Sequence, residues 1–304
     1  MQFDFVYRVY QIYKQNYSDK NKLIGISFGQ DSISLLFILF YIQEILNKST
    51  HLLHCNHFYQ TNNFYILREG FKISYLLNSN LIISCPISNL ETETNQRAWR
   101  HRIFKRSINM LNLNSIYLGH TKTDKIETFL FNLFRGGSLT NLTNFTEKNT
   151  YFDHECFKTS NNNLFLKVNP YLEINLYRPL INSSRQTIKN LIKNNNIPNL
   201  IDYSNFDTKF NRNKIRLLLL PLLKVYFNTN IEEQIERSLI QAEIDNLYFK
   251  TKIIKLLNKK NKLNKSEFKR LSKAEKYRFL KQVLNCYSGK DVNFNLIKKI
   301  ETKI

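Results

Sequence analysis

The stretch Lys22-Leu23-Ile24-Gly25-Ile26-Ser27-Phe28-Gly29-Gln30-Asp31-Ser32-Ile33-Ser34-Leu35-Leu36-Phe37-Ile38-Leu39-Phe40-Tyr41 decides the fold. A short apolar run feeds a turn of small and polar residues, and the apolar segment from Ile33 is too long for a second strand, which predicts a buried helix. Strand, short loop and helix N-terminus in that order make an anion site. The first helical N–H groups have no partner inside the helix, and the helix dipole adds partial positive charge there. Ser27 and Ser32 add hydroxyl groups, and Gly29 lets the backbone come close. The Gly-Lys-Ser/Thr ending of a Walker A loop is absent. With Asp31 in the loop instead of a Lys, a phosphate would need a bridging metal ion. Taken alone, the same residues also suit an ordinary strand-to-helix turn capped by Asp31 and Ser32.

Outward from this stretch, strand and helix alternate. His51 to His57 reads as a second strand, Asn62 to Asn78 as a helix with Phe64, Leu67, Phe71, Tyr75 and Leu76 at helical spacing, and Leu81 to Cys85 as a third strand stopped by Pro86. Glu91 to Leu113 is a helix whose Arg97, Arg100 and His101 share a face, either a solvated basic face or a phosphate-gripping one. Ser115 to His120 is a fourth strand and Thr121 to Phe134 another helix. The alternation predicts an α/β parallel sheet covered on both faces, with ligands at the carboxyl ends of the strands, where Ser27, His54, Asn56 and His57 fall. Thr140 to Asn163 is polar and poorly periodic and reads as a loop. Leu164 to Val168 and Tyr171 to Leu176 read as strands of a hairpin around Asn169-Pro170. From about Phe227 the chain is helical and lysine-rich, which predicts domains at 1–225 and 226–304, the second small and helical.

The 304 residues carry a formal charge of +21. That is far more than solubility requires and calls for a polyanionic partner, nucleic acid first. Abundant Asn, Lys, Ile, Phe and Tyr beside Ala at only 98, 242 and 274 is also the mark of an A/T-rich genome, which accounts for part of the lysine excess. Cys55, Cys85, Cys156 and Cys286 form no C-x-x-C pair, so neither a zinc knuckle nor a redox motif is present. No segment has the length and apolarity of a membrane span, and no transit or signal peptide is legible at the N-terminus.

Ser27-Phe28-Gly29-Gln30-Asp31-Ser32 resembles the Ser-Gly-Gly-x-Asp-Ser loop of the PP-loop pyrophosphatase superfamily, with Phe28 where a Gly is usual. Gly119-His120, Asp124, Glu127-Thr128 and Leu133-Phe134-Arg135-Gly136-Gly137 resemble the Gly-His-x-x-Asp-Asp-Gln-x-Glu-Thr…Arg-Gly block of the tRNA(Ile)-lysidine synthetases, with Thr123 and Lys125 replacing an Asp and a Gln. Arg178-Pro179-Leu180, then Asp202-Tyr203-Ser204-Asn205 and Phe210-Asn211-Arg212-Asn213-Lys214-Ile215-Arg216, resemble later blocks of the same family in order.

The resemblance implies a PP-loop catalytic domain and a ligase reaction using ATP and Mg²⁺. ATP adenylates the C2 oxygen of the first anticodon cytidine of tRNA(Ile) with a CAU anticodon, and free L-lysine displaces AMP to form lysidine, changing decoding from Met to Ile. Ser27, Phe28, Gly29, Gln30, Asp31, Ser32 and His120 would bind ATP. Asp31 and Asp124 would be catalytic and hold the metal. Arg97, Arg100, Arg135, Arg178, Arg212 and Arg216 would contact tRNA. Plastid stroma is the first expected location and bacterial cytoplasm the second; a homodimer stays open. The rival readings are a non-catalytic RNA-binding PP-loop homologue, favoured by Phe28, Thr123 and Lys125, and another PP-loop tRNA-modifying enzyme.

Overall fold

The computed structural model describes residues 22–44, 50–56, 63–88, 90, 92–156, 166–198, 200, 206–258, 265–288, 292 and 294–301. His57 and the Asp202 to Asn205 block lie outside them. The chain divides into two compact units, one of Met1–Gly137 with Asn144–Glu232, the other of Ser138–Thr143 with Glu233–Ile304.

In the first unit β1 (Lys22–Gly25), β2 (Thr50–Cys55), β3 (Asn80–Ser84), β4 (Ser115–Leu118), β5 (Lys148–Cys156) and β6 (Leu166–Tyr177) form one sheet in the order β3-β2-β1-β4-β6-β5. Every pairing is parallel except that of the edge strand β5 with β6. The helices are α1 (Gln30–Glu44), α2 (Asn63–Leu76), α3 (Glu93–Met110), α4 (Lys122–Phe134) and α6 (Arg185–Asn194), with α5 (Leu139–Leu142) belonging to the other unit. Strand order reverses between β1 and its neighbours β2 and β4. The loops after β1 and β4 therefore open at one crevice, the position where parallel α/β sheets bind ligands.

Two apolar layers enclose the sheet. Ile33, Leu35, Leu36, Ile38, Leu39 and Ile42 of α1 are all at most 3% exposed and pack with Tyr117, Tyr177, Leu180 and Ile188. A second cluster joins Leu23, Leu53, Ile116 and Leu176 to Ile108 of α3. The helix α1 shows no amphipathic stripe because its buried arc is so wide.

Two expectations need correction. The region read as a loop, 140 to 163, contains β5, and the expected hairpin around Pro170 is one continuous strand, β6. Proline fits there because the β5–β6 register slips between Phe152 and His154, opposite residues 168–173, so the N–H that Pro170 lacks falls at an irregularity in the ladder. The helix read through Phe64, Leu67, Phe71, Tyr75 and Leu76 is α2; of these residues Leu67 is half-buried and the rest are exposed, while Ile66 and Gly70 face the core.

Beyond α6, α7 (Asn211–Lys214), a π-helical turn (Ile215–Leu219) and α8 (Leu220–Tyr226) run on as one rod. In the wide turn the Leu220 N–H donates to the Ile215 carbonyl. It sits just before Pro221, which has no N–H to offer the Leu217 carbonyl and would clash with it in a regular helix.

The second unit comprises α9 (Ile231–Asn258), α10 (Lys265–Arg270), α11 (Lys273–Ser288) and α12 (Phe294–Glu301), with Phe268, Leu280 and Ile297 at its centre. The short α5 is held within it: Thr143 Oγ1 accepts from Asn246 at 2.8 Å, and Lys281 Nζ donates to Ser138 Oγ at 2.8 Å.

Candidate active site

The loop after β1 is folded around its own hydroxyl groups. Ser32 Oγ donates to the Gly29 carbonyl at 3.0 Å and lies 3.2 Å from Ser27 Oγ, and Ile33 N–H closes the first helical turn on Gly29 at 3.0 Å. The N–H groups of Gln30, Asp31 and Ser32 thus head the helix, where geometry gives them no acceptor within it. Phe28 adopts φ +62°, the left-handed region that favours glycine. Its ring is fully buried, lies 5.2 Å from the His54 ring, and occupies the space a side chain at Gly70 would need: a Cβ there would meet the ring at 2.5 Å. Burial of the ring offsets the strain. His54 Nδ1 also donates to the Ile26 carbonyl at 2.9 Å, fixing the chain as it enters the loop.

The loop after β4 presses directly on this turn. A Cβ added to Gly119 would meet the Asp31 carbonyl oxygen and Ser32 Cα at 2.8 Å each, so only glycine permits this approach. His120 follows, and Thr121 caps α4 in a capping box. Thr121 N–H and Oγ1 both donate to Asp124 Oδ2, at 2.8 and 3.0 Å.

The other Asp124 oxygen meets the rod. Oδ1 accepts from Arg212 Nη2 at 3.3 Å and from Arg216 Nη2 at 3.0 Å. Glu127, fully buried one turn along α4, accepts from Arg212 Nε at 3.1 Å and from Arg216 Nε at 2.6 Å and Nη2 at 2.9 Å. Arg212 and Arg216 do project from one face, but that face is turned inward onto two carboxylates.

The two expected metal-binding carboxylates share one electrostatic neighbourhood. Burial, then the Asp124 charge, pushes the Asp31 carboxyl up to about 6. Burial would raise Asp124 too, but the Arg212 charge, with His120, Arg216 and the Thr121 N–H, brings it down to about 2. Asp31 engages in no hydrogen bond or ion pair among the described residues, so its carboxylate stands ready for a cation, whereas both oxygens of Asp124 already accept bonds. Among the described residues no three or more His, Cys, Asp or Glu side chains are placed to hold a metal ion by themselves. The donor set fits Mg²⁺ arriving with a nucleotide, which takes one or two carboxylates and completes its shell with phosphate oxygens and water.

The remaining arginines separate by position. Arg97 is exposed, and Arg100 is half-buried within electrostatic reach of Arg212 and Arg97. Arg135 is exposed and lies over the Phe131 ring at 4.9 Å. Arg178 corrects the expectation of a tRNA contact: it is 2% exposed and its guanidinium is committed to His120, Thr146 and Asn149, out of reach of a phosphate backbone. Beside Phe131, Phe134 and Arg135, a cavity of about 700 Å³ opens against Thr92, Lys214 and Leu218. It starts one helical turn beyond Glu127 on α4.

Two contributors were not singled out from sequence as site residues. Glu127 was legible only as a motif position, and nothing in spacing reveals that it is the shared acceptor of two arginines. Arg185, whose charge lowers the Asp31 carboxyl, follows the Ser184 helix cap and carries no signal of its own.

A parallel sheet with a phosphate-sized turn at its switch point, met by a second loop bearing Gly-His and an acidic cap, defines a PP-loop nucleotide-binding domain. The family model described as PP-loop domain matches residues 1–223, and the chain belongs to that family. Among curated proteins it is similar to the chloroplastic tRNA(Ile)-lysidine synthase of Pyropia yezoensis, 32% identical over 73% of this chain and 63% of that protein. The chloroplastic protein of the same name from Staurastrum punctulatum is 29% identical over 73% of this chain and 50% of its own length. The tRNA(Ile)-lysidine synthase of Caldanaerobacter subterraneus subsp. tengcongensis is 25% identical over 87% and 53%. The chain thus spans about half to two thirds of the length of these relatives. Among solved structures the U34-tRNA thiolase NcsA from Methanococcus maripaludis has a TM-score of 0.56 at 14% identity, covering 78% of each chain, a likeness of fold. Among the described residues no helix is long and apolar enough to cross a membrane.

Proposed function

We propose that this chain ligates lysine to the first anticodon cytidine of a tRNA(Ile) with a CAU anticodon. The cytidine C2 oxygen attacks the α-phosphorus of ATP, the bond to the bridging oxygen breaks and pyrophosphate leaves. The amine of free lysine then attacks C2, AMP departs with the oxygen, and the amine proton passes to solvent. The observation that carries this reading is the close approach of Gly119 to the backbone of Asp31 and Ser32, because it sets the phosphate-sized turn against the loop that leads to Asp124.

Ser27 to Ser32 would receive the pyrophosphate at the head of α1, where oriented N–H groups offset the charge that builds on the leaving group. Asp31 and Asp124 would hold Mg²⁺, Asp31 with the more available oxygens; when bound, the ion neutralises phosphate charge and aligns the leaving group. No protein nucleophile is needed. The exposed Arg97 and Arg135 would neutralise tRNA phosphates, and the cavity beside Phe134 has room for an unstacked base. The domain division that goes with this reading is a catalytic domain at 1–225 and a helical tRNA-contacting domain at 226–304. The names of the relatives and the A/T-biased composition support a plastid location, with the stroma its natural compartment.

The test is ATP- and Mg²⁺-dependent incorporation of labelled lysine into the tRNA, followed by mass analysis of the anticodon cytidine. A lysine-sized mass increase is expected. A second reading, a non-catalytic RNA-binding homologue, draws on Phe28 at φ +62° and on Thr123 and Lys125, both buried. Binding of the tRNA without pyrophosphate release in the presence of lysine would decide for it.

A further inference from the structure

We propose that Arg178 is a positioning residue: its Nε–H holds His120 in the tautomer that carries the ring proton on Nε2, so that His120 presents one fixed, neutral N–H donor at the nucleotide site. What that donor does rests on the function proposed above; the tautomer does not.

A guanidinium donates only. Arg178 Nε–H lies 3.1 Å from His120 Nδ1, so Nδ1 is the acceptor and the single proton of the neutral ring sits on Nε2. The donor is itself held in place. Arg178 Nη1 donates to the Thr146 carbonyl at 2.7 Å and to Asn149 Oδ1, and the Arg178 backbone N–H bonds the Glu147 carbonyl at 2.8 Å. One ring braces both partners, since Phe145 lies 4.3 Å under the guanidinium and meets the imidazole edge-on at 5.0 Å.

The surroundings exclude the other states of the ring. An imidazolium, or the Nδ1–H tautomer, would set N–H against N–H at the Arg178 contact. Burial first, and then the charges of Arg178, Arg212 and Arg100 against that of Asp124, hold the imidazole well below its ordinary value; these are the charged groups that face His120. His120 directly follows the Gly119 contact with Asp31 and Ser32, in the loop that meets the phosphate-sized turn, and Asp124 lies within its electrostatic reach. A neutral donor keeps its proton there while charge changes on the phosphates.

Nitrogen-15 NMR of histidine-labelled protein reads the tautomer directly, with His120 assigned through the H120N variant. The expected spectrum is the Nε2–H tautomer, unchanged between about pH 6 and 8. An Nδ1–H tautomer or an imidazolium in the wild-type chain overturns the proposal, and this needs no variant to fold. In R178M the ring should become a mixture of tautomers, and single-turnover pyrophosphate release should fall about 10–100-fold, the usual loss when a group that orients another is removed. The salt dependence of tRNA binding should not move. R178K, which keeps a donor, should recover part of the rate, and R178M added to H120N should cost less than about twofold more. Full additivity of the two would overturn the positioning role. A wild-type chain with the expected tautomer but no pyrophosphate release would sink the proposed function and leave the tautomer assignment standing.

Discussion

Phe28 is the residue whose identity the resemblance questioned, and its answer lies in Gly70, forty-two positions on and in another helix. The left-handed backbone costs Phe roughly 1 kcal/mol relative to Gly, whereas removing a fully buried Phe ring costs about 3–5 kcal/mol. Phe28→Gly should therefore lower stability by about 2–4 kcal/mol despite restoring the usual loop residue, read as a shift of the urea midpoint at unchanged slope; a stability gain would show that strain dominates. The site's charge balance turns on Asp31. Because burial makes the folded chain hold the Asp31 proton up to about pH 6, above the ordinary carboxylate range, stability falls as pH rises through that window. In the presence of a chelator, Asp31→Asn should stabilise the fold at pH 8 by about 2 kcal/mol, after allowance for partial exposure, and add nothing at pH 4. Urea titrations at the two values check this, and an equal effect at both would remove the electrostatic account. The loop was legible because its small and hydroxyl residues sit where strand periodicity gives way to helix. The partner of Phe28 was not, since a lone glycine in a helical pattern gives no sign of what it accommodates.

The carboxylates of α4 and the arginines of the rod form an interlock between two elements separated by nearly ninety residues. Glu127→Gln leaves two guanidinium groups in a buried place with half their partner charge, and should cost about 3–5 kcal/mol. Neutralising the whole set (Asp124→Asn and Glu127→Leu with Arg212→Met and Arg216→Met) leaves no buried charge without a partner and should cost less than the single change while abolishing pyrophosphate release. Thermal melts of the variants test it: if the fourfold change is the more damaging to stability, the network is a stabiliser before it is part of a site. Its wide helical turn has a local cause in Pro221, and the Arg-x-x-x-Arg spacing was plain in the sequence. The direction of those side chains was not, because spacing gives a shared face and only packing says what that face meets. The same gap explains α2, where apolar residues at helical intervals mark a stripe that the fold leaves largely exposed. In β5 and β6 the turn signal of Asn169-Pro170 misleads for a different reason: a register slip absorbs the proline and the strand runs on.

Across the molecule, a charge of +21 is not spread evenly between work and solvation. Arg178, Arg212 and Arg216 are committed inside the first unit, and Arg97 and Arg135 face out. Arg97→Ala and Arg135→Ala should each weaken tRNA binding about uniformly and reduce the slope of log affinity against log salt by about 0.7–0.9. Filter-binding titrations over a range of salt give the slopes, and an unchanged slope returns the residue to the solvent. The helical second unit is assembled from two separate pieces of chain, Ser138–Thr143 and everything from Glu233. Its earlier piece is made long before Asn246 and Lys281, the residues that clasp it, exist on a growing chain. Synthesis must therefore pass Lys281 before that short helix has both partners, and a chain cut at Glu232 would carry an orphan segment in its middle. The two units are sewn together by sequence, and a clean excision of either at one bond is not open to this protein.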